Sequence, residues 1–239
     1  MRAILLSAGF GTRLRPITND TPKCLVPING SPLLQIWLER LTAAGIGPFL
    51  VNTHYLADKV NKFVEESNFQ KKIQLKFEKD LLGTAGTLVK NLDFFEGKDG
   101  LLIHVDNYCL ADFMKFQHAH NNRPKGCIMT MMTFRTNDPL SCGIVEVDDR
   151  GVVIGFYEKV KYPPGNLANG AIYIISPEML EIIKNDLNYV TDFSTEVLHQ
   201  FMGRIYSHEI SDTFIDAGTP DSYAKANNAE SLKKWKYHS

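Results

Sequence analysis

Residues 7–27 read SAGFGTRLRPITNDTPKCLVP and hold the densest set of groups able to do chemistry. Gly9 and Gly11 lack a Cβ, so the backbone N–H groups around them can approach a phosphate closely. Arg13 and Arg15 add planar donors suited to phosphate oxygens, and Lys23, between Pro22 and Cys24, adds a compact positive charge. These types in this order point to a bound polyphosphate. A dinucleotide fingerprint would need glycine at residue 14, which is leucine, and the G-K-[ST] ending of a Walker loop is absent. The plain alternative is a glycine-rich turn with solvated arginines.

Two carboxylates stand where packing has no use for them. Asp106 ends the apolar run LLIHV, and Asp216 follows Phe214–Ile215 and precedes Ala217–Gly218. A hard cation such as Mg2+ takes one or two carboxylates together with phosphate oxygens and water. Each aspartate could equally cap a strand end or form a turn. His104 precedes Asp106 by two in a strand and therefore shares its side, either lining a pocket or packing. His118 and His120 are two apart on an expected helix, do not share a face, and are not expected to form a metal site. The four cysteines, Cys24, Cys109, Cys127 and Cys142, are far apart and form no CxxC pair. Neither a zinc site nor a disulfide framework follows, and reduced thiols in a cytoplasmic protein are expected.

Alternating strands and helices must position these residues. Ala3–Leu6, Phe49–Asn52, Ile73–Phe77 and Leu101–Val105 read as strands, the first ending in the glycine-rich loop. Pro32–Ala44 has Leu33, Leu34, Trp37, Leu38 and Leu41 at helical spacing and Gly45 as a stop. Leu56–Glu66, with Val60, Phe63 and Val64 on one face, and Thr84–Leu92 read as further helices. Later come strands Cys127–Phe134, Gly143–Val147, Val152–Tyr157 and Ala171–Ile175, with a hairpin turn at Asp148–Gly151. Pro177–Lys184, Ser194–Met202 and Asp221–Lys234 read as helices, with Asp192 or Ser194 as N-cap of the second. Trp37, Phe63 and Phe77 are expected in the core. The pattern implies an α/β, Rossmann-like fold: a mostly parallel central sheet flanked by helices, with a smaller strand-rich antiparallel portion. Ligands of such sheets bind beyond the carboxyl ends of the strands, where residues 7–27 begin.

Bulk properties bound the function. The chain has 239 residues, a net charge of −1, 44% hydrophobic and 22% charged residues, which suits a soluble chain with a full core, forming one α/β domain or at most a domain plus a small appendage. A charge near zero gives no field of the kind nucleic-acid binders use, so no nucleic-acid partner is expected. The apolar run at residues 1–8 is too short for a signal peptide or membrane span, and no 18-residue apolar run follows, so no membrane partner is expected.

The segment GFGTRLRPIT followed by PKCLVP resembles the signature of the sugar-1-phosphate nucleotidyltransferases, G-x-G-T-R-L-x-P-L-T and then P-K-P-L-x-P. It departs at Cys24, where that family usually has proline, and at Ala8, where many members have glycine. LGTAGTL at 82–88, LLIHVDN at 101–107, FYEK at 156–159, NGAIY at 169–173 and FIDAGTPDSY at 214–223 resemble further family motifs in family order. Val160 stands for a usual proline and NGA for the common NAG. The resemblance implies a GT-A-like nucleotidyltransferase fold, with residues 1–110 forming the nucleotide half of one domain and 111–239 the sugar-phosphate half, and no C-terminal β-helix. It implies an NTP and a sugar 1-phosphate as substrates and Mg2+ as cofactor. Leu6, Ala8, Gly9, Gly11, Thr12, Arg13, Gly83, Thr84 and Gly86 would bind the nucleotide. Glu158, Lys159 and Asn169 would bind the sugar phosphate, Asp106 and Asp216 the metal, and Arg13, Lys23 and Asp106 would carry catalysis. The pattern is closest to mannose-1-phosphate guanylyltransferases, which favours GTP; UTP-, CTP- and dTTP-dependent members, some with other phosphorylated acceptors, share the signature. A homo-oligomer is left open. A non-catalytic nucleotide-sugar-binding homologue would not need all of Arg13, Lys23, Asp106 and Asp216. A metal-dependent glycosyltransferase would use a D-x-D pair, whereas Asp106 is followed by Asn107 and Tyr108.

Overall fold

The computed structural model describes residues 1–229. The strands are Arg2–Leu6 (β1), Pro27–Ile28 (β2), Ser31–Pro32 (β3), Phe49–Thr53 (β4), Ile73–Phe77 (β5), Gly100–His104 (β6), Asn107–Cys109 (β7), Met129–Arg135 (β8), Gly143–Val147 (β9), Val153–Glu158 (β10), Leu167–Ile175 (β11), Ile205–Ile210 (β12) and Phe214–Asp216 (β13). The helices are Leu33–Ala43 (α1), Ala57–Glu66 (α2), Gly83–Lys90 (α3), Phe113–Asn121 (α4), Pro177–Asp186 (α5) and Pro220–Asn228 (α6). The main sheet runs β10-β9-β11-β6-β1-β4-β5, with β8 pairing β11 and β12 pairing β8. The fold is thus the expected mixed α/β arrangement of a large central sheet and helices. By contacts the chain forms two compact units. One holds Met1–Ile4, Leu82–Ile103 and Phe113–Ser211; the other holds Leu5–Leu81, His104–Asp112 and the segment from Asp212 onward.

In the second of these units β4 and β5 pair in parallel, with Phe49 opposite Ile73 and Thr53 opposite Phe77. All five residues of β4 are buried, as befits an interior parallel strand. Helix α1 buries Leu33, Leu34, Ile36, Trp37, Leu38 and Leu41 and stops at Gly45, whose φ of +73° suits glycine. Phe77 is not in the core: it shares a strand face with the half-buried Ile73 and Leu75, but it is the last residue of the edge strand β5 and is 67% exposed. Phe63 is half-buried beside the buried Val60 and Val64. A short antiparallel ladder that the sequence did not announce joins β7 to β13, with Asp216 opposite Asn107 and Phe214 opposite Cys109.

In the other unit the expected antiparallel portion centres on β11, which pairs antiparallel with β6, β8 and β9. β9 and β10 form the expected hairpin, closed by Gly151 N–H on Asp148 O at 2.9 Å. Strand β12, parallel to β8, was not anticipated. Ser194–Met202 is not a regular α-helix. A π-type turn, Phe193–Val197, precedes a 3-10 turn, Leu198–Phe201. Its first N–H, that of Phe193, donates to Thr84 Oγ1 at 2.8 Å, and the Glu196 carboxylate turns back to accept from Thr191 N–H at 2.6 Å. Asp192, of the two expected caps, is the one that caps, accepting from Thr195 N–H at 2.8 Å. The last expected helix is α6, ending at Asn228; its expected continuation to Lys234 lies outside the described residues.

Candidate active site

The glycine-rich loop leaves β1 and is built to hold an open backbone. Ser7 N–H donates to Asn52 Oδ1 at 2.7 Å, and the Ser7 hydroxyl donates to Asn52 O. Asn52 Nδ2 donates in turn to Glu78 Oε1 at 3.0 Å. The segments leaving β1, β4 and β5 are thereby tied together. Gly11 takes φ +64°, and a Cβ there would come within 2.9 Å of Thr18 Cγ2 and 3.2 Å of Lys23 Cβ, so the loop needs glycine at 11. Thr18 Oγ1 donates to Gly11 O at 2.7 Å, and Tyr55 OH donates to Thr18 O and Asn19 O at 3.0 and 2.9 Å. Gly9 has open space where a Cβ would be. Leu6 ends β1, half-buried, and Ala8 is buried, while Gly9 and Thr12 are exposed. The loop is therefore fixed from behind and open in front.

Arg13, Lys23, Asp106 and Asp216, far apart in sequence, meet in this same unit. Lys23 Nζ lies 2.6 Å from Asp106 Oδ2, with the lysine mostly buried, and Arg13 Nη2 lies 3.8 Å from Asp216 Oδ2 in a more open pair. The β7–β13 ladder brings the aspartates together, since Asp216 sits opposite the residue after Asp106, and Ala217 N–H donates to Asp106 O at 3.1 Å. Gly218 marks the centre. A Cβ added there would lie 2.7 Å from Asp216 Oδ1, 2.9 Å from Arg13 Nη2 and 3.0 Å from Lys23 Nζ. Burial, the largest single influence on the Asp106 carboxyl, pushes it up. Lys23, His104 and Arg13 act against that, by their charges and the Lys23 hydrogen bond, and hold it below its ordinary value. His104 thus bears on Asp106, as its place two residues earlier suggested. Two carboxylates beside two cationic side chains are a donor set that fits a hard divalent ion whose shell is completed by phosphate oxygens. The four residues singled out in the sequence lie together here; Gly218 was not singled out, and its signal is the small residue two after Asp216.

The other expected site residues lie in the other unit, in two groups. Gly83, Thr84 and Gly86 open α3. Ala85 N–H and Gly86 N–H both donate to Thr191 O, at 2.9 and 3.4 Å, and Gly83, at φ +77°, has that carbonyl where a Cβ would be. Glu158, Lys159 and Asn169 gather at one end of the β10-β9-β11 ribbon, because Glu158 pairs with Gly143 and Ala168 with Ile144. Lys159 Nζ lies 3.4 Å from Glu158 Oε1. Asn169 Oδ1 accepts from Ala171 N–H at 2.9 Å and its Nδ2 donates to Tyr173 OH at 2.7 Å, which fixes the amide and leaves one N–H for a ligand. Burial pushes the Tyr173 phenol up, so it stays neutral. Tyr173 was not singled out by sequence; the NGAIY motif contains it. Of the helical histidines, His120 is buried on Thr130 at 2.8 Å, while His118 sits on Asn122. No helix among the described residues is long and apolar enough to cross a membrane.

A family model described as nucleotidyl transferase matches residues 2–232. The chain is 31% identical over 226 residues to D-glycero-alpha-D-manno-heptose 1-phosphate guanylyltransferase of Campylobacter jejuni, covering 93% of this chain and 97% of that protein. It is 32% identical over 203 residues to a UTP–glucose-1-phosphate uridylyltransferase of Synechocystis, covering 79% of this chain and 52% of that one, so it spans about half that relative's length. In fold it is similar to HddC from Yersinia pseudotuberculosis complexed with GMP-PN, with a TM-score of 0.80 at 26% identity, covering 95% and 98% of the two chains.

Proposed function

The chain belongs to the nucleotidyl transferase family, and from that premise we propose that it transfers a nucleotidyl group from an NTP, GTP in the first place, to a sugar 1-phosphate. A phosphate oxygen of the sugar 1-phosphate attacks the α-phosphorus. The bond from the α-phosphorus to the bridging oxygen breaks, and pyrophosphate leaves with its electron pair. Such transfers ask little covalent chemistry of a protein; positioning and charge neutralisation supply most of the rate.

The observation that carries this reading is the convergence of Arg13, Lys23 and Asp216 on the space beside Gly218, with Asp106 on Lys23. In our assignment Arg13 grips the triphosphate and the departing pyrophosphate, and Lys23 holds the phosphates beside the attacking oxygen. The backbone of Ala8, Gly9 and Gly11, with Leu6 and Thr12, wraps the nucleotide, and Gly83, Thr84 and Gly86 border the base. Glu158 and Asn169 read sugar hydroxyls and Lys159 the sugar phosphate. Residues 1–110 thus serve mainly the nucleotide and 111–239 mainly the acceptor, Asp216 excepted. Asp106 and Asp216 would hold Mg2+, which when bound withdraws charge from the phosphate oxygens. GTP is favoured by the guanylyltransferase relative and the GMP-PN complex of the similar fold. The uridylyltransferase relative makes UTP the second candidate.

Purified protein with Mg2+, each of five NTPs and a panel of sugar 1-phosphates is expected to release pyrophosphate, fastest with GTP. Asp106→Asn should lower kcat about a thousandfold or more, the scale set by loss of a preorganised charge at the reacting phosphates. Pyrophosphate release no faster than that of the variant, with every pair tried, contradicts the assignment.

A further inference from the structure

Helix α1 has an effect on the strand end that carries Asp106 which its apolar spacing does not explain. Trp37 is buried, and its place among Leu33, Leu34, Leu38 and Leu41 accounts for the ring. Its indole Nε1–H, however, lies 3.1 Å from Val105 O and 2.9 Å from Asn107 O. Those are the carbonyls of the two residues flanking Asp106. One N–H shared between them sets the peptide planes on either side of the aspartate, while Ala217 N–H holds the carbonyl of Asp106 itself at 3.1 Å. Three residues along the same helix, and so on the same face, Arg40 donates to Leu110 O at 2.6 Å and Ala111 O at 2.8 Å. A smaller aromatic ring could occupy most of the same volume; what tryptophan adds at 37 is the donor.

We propose that Trp37 is a positioning residue for the metal ligand Asp106. Its indole N–H holds residues 105–107 in the one backbone course that turns the Asp106 carboxylate to the cation and to Lys23. It touches no substrate and acts only through Asp106. The inference rests on the metal-assisted transfer proposed above.

Trp37→Phe keeps an aromatic ring and removes the N–H. Mn2+ in place of Mg2+, added to protein loaded with GTP, can be followed by the paramagnetic resonance of the free ion. The variant is expected to bind Mn2+ about tenfold more weakly than the natural protein, the low end of what partners of metal ligands contribute. GTP binding in the presence of a chelator should be unchanged. Leu41→Ala, in the same helix and equally buried, should weaken the fold and leave the Mn2+ affinity alone. Equal Mn2+ affinity in Trp37→Phe and the natural protein, or an equal loss in Leu41→Ala, overturns the positioning role. A natural protein that binds GTP but no Mn2+ contradicts the metal-assisted reading itself, and this inference with it. Should Trp37→Phe not fold, the natural protein still decides. Its two tryptophans give two indole N–H resonances, and that of Trp37 is expected to exchange slowly and to shift when Mg2+ joins bound GTP; an unmoved signal overturns the proposal.

Discussion

Asp106 stands between opposing influences, and their balance sets a pH dependence. Burial favours its neutral form, while Lys23, His104 and Arg13 favour the anion and win, so the folded carboxyl titrates below the ordinary value of about 3.9. A carboxyl depressed on folding stabilises the fold above its unfolded value, and the stabilisation is lost as pH falls through the folded value. The melting temperature of the natural protein should therefore drop more steeply below about pH 4 than that of Asp106→Asn; parallel acid limbs would show that Asp106 is not held as an anion. Gly218 gives a second test. The atoms a Cβ would meet there are the ends of the Asp216, Arg13 and Lys23 side chains, which can swing away. Gly218→Ala should thus leave stability within about 0.5 kcal/mol and lower kcat/KM about a hundredfold, by displacing charged groups roughly 1 Å. Thermal melts and steady-state kinetics on one preparation check both. The four charged residues were legible in sequence because cations and carboxylates at strand ends have no packing role. The Trp37 donor was not, since an apolar spacing accounts for the ring and is silent about its N–H.

At the scale of elements, the long periodic segments were readable and the short ones were not. α1 and β4 fall within a residue or two of where their patterns end. β7 and β13 have three residues each, too few for alternation to register, yet their pairing brings the two aspartates together. The stretch after Asp192 has helical spacing, but contacts from elsewhere in the chain meet it at its start: Thr84 Oγ1 takes the Phe193 N–H, and the Glu196 carboxylate takes the Thr191 N–H. β11 shows a conflict of another kind. Its register breaks between Asn169 and Tyr173, where Ala171 takes φ +51°, a left-handed conformation that suits glycine. The glycine of NGA stands one position before the residue that needs it. Such a conformation costs an alanine about 1–2 kcal/mol, and glycine gives back part of the gain through its freer unfolded chain. Ala171→Gly should therefore stabilise the protein by about 0.5–1 kcal/mol in denaturant unfolding. No gain, or a loss, would show that Ala171 is unstrained.

Over the whole molecule the cysteines give a check on the core. Cys24, Cys109 and Cys127 are buried, and burial pushes the thiols of Cys24 and Cys109 up to about 12; only Cys142 is partly open. A disulfide reagent at neutral pH should react quickly with one thiol in the native protein and with all four after denaturation. Rapid reaction of two or more native thiols would mean that the buried strand ends open. Motif order along nearly the whole chain identified the family, because each weak match stood in the family sequence of matches. The same order said little about the acceptor, which depends on how side chains such as Glu158, Lys159 and Asn169 are held, and on departures such as Val160 and Gly170.

The central claim is that the α-phosphorus moves to the acceptor. GTP labelled separately at the α- and γ-phosphorus, incubated with Mg2+ and the sugar 1-phosphate that turns over fastest, tests it most directly. The α-label should appear in the nucleotide sugar and the γ-label in pyrophosphate, both lost in Asp106→Asn. A γ-label carried onto the sugar, or an α-label released as free GMP, would contradict it.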